Sequence, residues 1–377
     1  MSEENDFIYL AEGIKKIIDY RGKTPKKLGG DWTEYGIRTI SAKNVHNGVL
    51  DNIDCIRCVS QDIYKKWMKE KIKRNDIFIA SEGASMGESL IWESDEQIVL
   101  GQRLFAVRAN TQVLNPFYLA MYMRTPEYRT ELLNHCTGTS VLGLSQPNLL
   151  KTRIRKIPLD LQNFIGEIYQ NICNKIAVNN AINRNLSEQC DAIYRDQFIT
   201  KSHSSWTTGY LSDLITVKYG KDHKKLEDGD IPCYGSGGVM RYVERPIYDH
   251  ESVLIPRKGT LNNVMYVNVP FWSVDTMFYT VMKISNVAKF VYHYVKGKDL
   301  ASMNAGSAVP SMTVDILNAM ELQIPSSTAL AEFETIVQPL YKAMKDNEIE
   351  NKKLAELRDT LLPKLMSGEL DVSDLDI

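Results

Sequence analysis

The sequence predicts an α+β fold: two strand-rich domains, each a curved mixed sheet with helices, separated and followed by two long helices that form an antiparallel coiled coil. Three observations predict it. The chain repeats itself faintly at an offset of about 168 residues. Each half carries a heptad seam interrupted by two asparagines at matching positions. The remaining apolar residues fall in short runs bounded by turn formers. The expected plan is a first domain over 1–157, a helix over 158–201, a second domain over 202–325, and a C-terminal helix with an acidic tail over 326–377.

The repeat is read first because a missed period mis-assigns a whole fold. Gly138-Thr139-Ser140-Val141 is echoed by Gly306-Ser307-Ala308-Val309, and each is followed by an Ile-Pro, Ile157-Pro158 and Ile324-Pro325. Earlier, Ile79–Ser85 resembles Ile255–Leu261, a strand entering a glycine turn, and Gly101–Phe105 stands where Val274–Phe278 stands.

After each Ile-Pro comes a segment of helical period. The first seam is Tyr169, Ile172, Ile176, Asn179, Asn183, Leu186, Cys190 and Ile193; the second is Val337, Leu340, Met344, Asn347, Asn351, Leu354, Arg358 and Leu361. Both step by alternating threes and fours. A buried asparagine on such a seam costs stability and fixes register. Two helices packing independently on their own domains would need no shared polar interruption, so the pattern predicts that they pair, Asn against Asn. A first helix over about 161–198 would be roughly 55 Å long at about 1.5 Å per residue, which spans roughly 16 base pairs at about 3.4 Å each. Pro339 should kink or restart the second helix, and Pro363 should end it.

Within the domains, Asp76–Ala80, Leu104–Val107, Ser252–Ile255, Val264–Val267 and Met277–Val281 read as strands. Asn115–Met123 reads as a helix with proline near its start, and Asn286–Val295 as its counterpart. The first domain is longer, so it should carry added structure that includes the basic stretch Gln61–Arg74.

Composition excludes several classes. Hydrophobic residues make up 44% and charged residues 24%, the balance of a globular protein. No apolar run reaches the roughly 18 residues of a membrane span, and the acidic start resembles no signal peptide; a cytoplasmic location is expected. The six cysteines are scattered and expected to be reduced. Cys55-Ile56-Arg57-Cys58 lacks the second ligand pair a zinc site needs and reads as a buried pair on a strand or loop. No phosphate-binding loop, nucleophile elbow or HExxH motif is present, and the six histidines show no ligand spacing. Neither a catalytic residue nor a metal site is therefore expected.

The net charge of −2 hides local excess. Lys15–Lys27 holds six basic residues against one acid, and Glu369–Ile377 holds four acids and no base. Polar glycine-containing loops occur in both halves. In the first half these offer Arg21, Lys23, Thr24, Lys26 and Lys27, then Ser41, Lys43, Asn44 and His46. In the second they offer Lys221, then Tyr234, Ser236 and Gly237, then Arg257, Lys258 and Thr260. Lys, Ser, Thr and backbone N–H groups suit phosphate; Arg and Asn reach base edges. Duplicated readers suit the two halves of a DNA site, so these residues are the candidate DNA-binding set. The alternative is a coiled-coil scaffold that assembles proteins without touching DNA.

These motifs together carry a family resemblance over essentially the whole chain. Asp19–Pro25, Ile40–Val45, Tyr234–Gly238, Arg257–Thr260 and Leu362–Glu369 resemble the specificity subunit of type I restriction-modification systems. The resemblance implies two target recognition domains, each reading one half of a bipartite double-stranded DNA target, with helices that set the spacing and dock two methylation subunits. It implies no cofactor in this chain: S-adenosylmethionine belongs to the methylation subunits, and ATP with magnesium to the restriction subunits that join them. One departure stands out. Ser81-Glu82-Gly83-Ala84 occupies the place of Arg257-Lys258-Gly259-Thr260, and an acid there would repel phosphate. Glu82 is expected either to accept a hydrogen bond from cytosine N4 or to stay off the DNA.

Overall fold

The structure is a computed structural model and describes residues 6–46, 48–138, 142–201, 206–303, 311–367 and 369. The chain forms two compact units, Met1–Asn179 with Ile349–Ile377, and Asn180–Glu348.

In the first unit, Ile14–Asp19, Leu104–Ala109, Ile77–Ala80 and Ser89–Ile91 form a four-stranded antiparallel sheet in that order. Its central strands are apolar at consecutive positions, the mark of a strand covered on both faces. Alternation then divides them. Ile77, Ile79, Phe105 and Val107 join the core built on the helix Pro116–Tyr122 and on Ile165 and Tyr169. Phe78, Ala80, Leu104 and Ala106 join a second core with Ile40, Trp67 and Val99. A mixed three-stranded sheet lies on that second side: Ile37–Ile40 pairs antiparallel with Arg57–Val59 and parallel with Val99–Leu100. Phe7–Tyr9 pairs with Arg153–Arg155.

The second unit repeats this plan. Ile215–Tyr219, Met277–Met282, Ser252–Pro256 and Met265–Val267 form the four-stranded sheet. Asp228–Gly235 pairs antiparallel with Gly238–Val243 and parallel with Trp272–Ser273. Thr207–Tyr210 pairs with Glu321–Ile324. The alternation again splits the core, Val253, Ile255 and Phe278 to one side and Leu254 and Met277 to the other. The match extends to single bonds: Gly101 N–H donates to Ile40 O at 2.7 Å, and Val274 N–H donates to Tyr234 O at 3.0 Å. The first unit adds the helix Gln61–Trp67 within the basic stretch. Thr139–Val141 and 306–309, on which part of the repeat was read, lie outside the described residues, as does the acidic tail beyond Glu369.

A long helix spans Leu159–Arg195 and continues as a π turn to Thr200; a second spans Ser327–Ser367. Their seams meet antiparallel. In the first unit Asn179 Nδ2 donates to Asn351 Oδ1 at 2.9 Å and to the Glu350 carboxylate at 2.7 Å. In the second unit Asn347 Nδ2 donates to Asn183 Oδ1 at 2.8 Å, and Asn183 Nδ2 to Met344 O at 3.0 Å. Ile172 and Ile176 share the first core with Leu354; Ile193 shares the second with Leu340 and Met344. Leu186 is half-buried, and the Leu361 side chain lies outside the described residues.

Three expectations are corrected. Helix continues through Pro339 and past Pro363 to Ser367. A proline's φ fits a helix; what it removes is one N–H. At Pro339 the carbonyl left without that donor belongs to Thr335, and both residues are exposed, so water can serve it. Core contacts on either side, Phe333 and Val337 before and Leu340 after, hold the line. Thirdly, Cys55 and Cys58 are no buried pair: Cys55 is exposed at the end of a short 3-10 turn, and Cys58 is half-buried in its strand.

Helix capture uses polar chemistry as well. In the second unit His293, on the helix Ala288–Lys296, lies 2.7 Å from Asp191 through Nδ1 and 3.0 Å from the Tyr341 hydroxyl through Nε2. Lys289, buried, donates to Glu251 at 3.1 Å and Glu334 at 2.6 Å. The first unit has a counterpart: Arg124 donates to the Tyr169 hydroxyl at 3.0 Å and lies 3.8 Å from Asp359. In each unit, then, a basic side chain grips an aspartate on one long helix and a tyrosine on the other.

Candidate nucleic-acid interface

Strand ends bring the polar loops together. In the first unit the loops after Asp19, Ile40, Ala80 and Leu100 leave neighbouring strands. Gln102 ties them: its side chain accepts from Gly22 N–H at 3.2 Å and donates to Lys23 O, while its carbonyl accepts from Ala42 N–H at 3.2 Å. Arg21 is locked in place. It chelates the Asp19 carboxylate at 2.9–3.0 Å, donates to Leu144 O at 3.0 Å and stacks 3.9 Å over the Phe105 ring. Asn44 is buried: its Oδ1 accepts from Ser41 N–H and Oγ, and its amide donates to Asp51 O and Asn52 O. Both residues therefore shape the loops and offer little to a ligand.

Lys23 Nζ donates to Trp67 O at 2.9 Å, Lys27 Nζ to Gly22 O at 2.8 Å, and Lys43 Nζ to Cys55 O at 3.3 Å. Carbonyl partners leave these ammonium charges uncompensated, so the loops keep their positive potential. Thr24 Oγ1 caps Lys27 N–H, and Lys26 is exposed on the following turn. His46 stands apart, on the small hairpin Val45–His46/Val49–Leu50, with Nδ1 4.0 Å from Glu88. Elsewhere the basic stretches are partly neutralised. Lys16 and Arg108 flank Glu70 at 2.6 and 2.8 Å and hold its carboxyl down at about 2, and Arg74 pairs with Asp95.

Between these loops lies a cleft of about 510 Å³, whose walls include Trp32, Ser41, Arg57, Trp67, Glu82 and Arg103. Arg57 stacks 3.8 Å over the Trp32 ring, and Arg103 Nε pairs with Glu82 at 3.0 Å. Trp32, Arg57, Gln102 and Arg103 were not among the sequence candidates. The repeat held a signal for the last two, since it set Gly101–Phe105 against Val274–Phe278.

In the second unit, Lys221 N–H donates to Ser273 O at 2.8 Å and its carbonyl accepts from Trp272 Nε1, which leaves the ammonium exposed. Tyr234 packs edge-on to Phe271, and burial pushes its hydroxyl pKa up. Ser236 O accepts from Asn263 at 2.8 Å, and Gly237 is exposed at the turn. Arg257 stacks over Tyr219 and donates to Asp275 O at 3.0 Å. Lys258 and Thr260 are exposed on either side of Gly259, whose φ of +85° suits glycine. A Cβ on Gly259 would lie 2.7 Å from Ser236 Oγ, so the two loops abut. Among the described residues no cluster of metal-ligating side chains occurs, and no helix is long and apolar enough to cross a membrane.

The comparisons agree with this geometry. Residues 203–359 match the family described as the type I restriction modification DNA specificity domain. The specificity subunit of type I restriction enzyme HindI from Haemophilus influenzae is 33% identical over 180 residues, 47% of this chain and 34% of that protein. The MjaIX specificity subunit from Methanocaldococcus jannaschii is 23% identical over 209 residues, 48% of each chain. The chain thus spans about half the length, or less, of the curated relatives it matches. The crystal structure of the S subunit of a type I restriction-modification system from M. genitalium shares the fold, with a TM-score of 0.62 at 17% identity over 95% of both chains. The resemblance to type I specificity subunits that the motifs indicated is borne out: residues 203–359 match the type I restriction modification DNA specificity domain, and the fold matches that of a type I S subunit.

Proposed function

We propose that the chain is the DNA-reading subunit of a type I restriction-modification complex. Each strand-rich domain reads one half of a bipartite double-stranded target, and the two helices set the number of base pairs between the halves and dock two methylation subunits. The chain itself performs no chemistry. S-adenosylmethionine resides on the methylation subunits, ATP and magnesium on the restriction subunits.

The observation that carries this reading is the duplication. Three sheets of the first unit recur in the second, with polar loops at the same strand ends, and the second unit from residue 203 onward lies within the family match. A bipartite target demands two readers. The exposed Lys26, Lys221 and Lys258 suit phosphate positioning; the loops around Glu82, Arg103 and Ser236 carry groups that pair with base edges. The seam asparagines support the spacing role, because they pin one helix register.

Gel shifts of the assembled methylation complex test it. The expected result is tight binding to one bipartite sequence and competition only by DNA that keeps both halves. A complex that binds all DNA equally, or whose recognised sequence survives removal of either domain, would favour the scaffold reading instead.

A further inference from the structure

The first unit departs from its counterpart at one loop. Where the second unit has Lys258 beside Gly259, with Thr276 in the turn before the strand Met277–Met282, the first has Glu82 beside Gly83, with Arg103 before Leu104–Ala109. Glu82 Oε1 and Arg103 Nε lie 3.0 Å apart, with side chains 42% and 61% exposed. An ion pair so exposed contributes little to stability. Yet Arg103 holds its place with a φ of +63°, a left-handed backbone that costs a non-glycine residue energy and that Thr276 does not adopt. Gly83, at φ +83°, turns the loop with a backbone that suits glycine, and the Arg103 guanidinium lies beside it. The pair stands at the cleft that Trp32, Arg57 and Trp67 also line. Backbone strain at the rim of a cleft, spent on an ion pair that adds little stability, marks a site shaped for a ligand rather than for stability.

We infer that Glu82 and Arg103 together read one G·C base pair in the major groove of the first half-site, an assignment that rests on the DNA-reading function proposed above. Guanine presents two acceptors, O6 and N7, which match the arginine fork; its partner cytosine presents the N4 amino donor, which matches a carboxylate. Side chains held 3.0 Å apart present donors next to an acceptor, the order that a G·C edge requires. An A·T pair fits worse: one arginine donor would face the adenine amino group, donor against donor. Glu82 also repels phosphate, which keeps this loop over the bases and off the backbone. The second unit, with Lys258 and Thr276 at these places, lacks the carboxylate and the arginine fork and does not impose the same requirement.

The test uses the full chain co-expressed with its own methylation subunits in a host free of other DNA methylation, with the methylated motif read by sequencing. The wild-type motif should contain a required G·C pair in one half. Glu82→Leu, which removes the acceptor, should relax that requirement, raising methylation at substituted sites by roughly tenfold or more, and leave the other half and the spacer unchanged. Arg103→Lys keeps the charge, loses the fork and should relax the same position; it serves as the reading should the first variant fail to assemble. Undiminished stringency at every G·C pair in both variants would overturn the inference, as would a loss spread evenly over all sequences. A wild-type complex that methylates no defined bipartite sequence would instead refute the DNA-reading function itself.

Discussion

Replacing Asn179 and Asn351 by leucine, singly and together, tests the helix pairing. Asn179 is fully buried and donates to Asn351 at 2.9 Å and Glu350 at 2.7 Å. Asn179→Leu removes the donor that Asn351 Oδ1 accepts from and sets an apolar side chain against it, and Asn351→Leu removes one of the two acceptors of the buried Asn179 amide, leaving Glu350. A buried polar group deprived of its partner costs about 1–3 kcal/mol, whereas replacing both partners by apolar groups can be nearly neutral. Each single variant should therefore lose about 1–2 kcal/mol, and the double variant should recover most of that. The Glu350 bond is lost in both the Asn179 variant and the double, so it cancels from the coupling. The expected coupling is about 1–2 kcal/mol in the direction that favours the double. Thermal melting of the three variants reads it: at roughly 2–4 °C per kcal/mol for a body of 150–250 residues, the singles should melt about 2–8 °C lower. A double variant as destabilised as the sum of the singles would refute direct pairing of these asparagines.

The remaining predictions concern charge and backbone. Burial, the main cause, pushes the His293 pKa from its ordinary 6.5 down to about 4, against the pull of Asp191. That pull is blunted because Asp191 also holds Lys296 at 2.9 Å, and the geometry fits a neutral ring donating to Asp191 and accepting from Tyr341. The unfolded chain then takes the proton first as pH falls. Stability from this group is full above about 6.5 and is lost on the way down to about 4, a total of about 3 kcal/mol. Melting against pH should show this loss in the native chain and much less of it in His293→Gln; equal slopes would contradict a neutral buried ring. For DNA, Lys258→Ala should weaken binding evenly across sequences and reduce the log–log salt slope by about 0.9 if the ammonium meets a phosphate; gel shifts at graded salt would show an unchanged slope if it does not. Gly220→Ala should destabilise the second unit by about 1–3 kcal/mol, because a Cβ there would lie 2.0 Å from Val274 O; an unaltered melting temperature would mean that the loop around Lys221 yields freely.

Much of this architecture was legible in the sequence because local patterns carry it. Heptad spacing and the matched asparagines pointed to a helix pair, Asn against Asn; which asparagine meets which, Asn179 with Asn351 and Asn183 with Asn347, shows only in the structure. Apolar runs ending in glycine gave Ile77–Ala80 and Ser252–Pro256. Pairings distant along the chain were not legible. Ile37–Ile40 lies parallel to Val99–Leu100, strands too short and too far apart for periodicity to show. The site suffered most from this. Residue type suggested that Arg21 and Asn44 read bases, but Asp19 and the Ser41 turn claim their polar atoms. Gln102 and Arg103 follow a glycine in an otherwise apolar stretch, and only the assembled sheet shows that Gln102 reaches the loop at Gly22, 80 residues away, and Arg103 the loop at Glu82.

The claim that each domain reads its own half-site is tested most directly by exchanging one domain. Residues 202–325 would be replaced by the corresponding domain of a relative with a different target, and the chimera, assembled with methylation subunits, would be assayed by sequencing the DNA it methylates. The account predicts that one half of the motif changes to that of the donor while the other half and the spacer length stay as they were. A motif in which both halves change, or neither does, would contradict it.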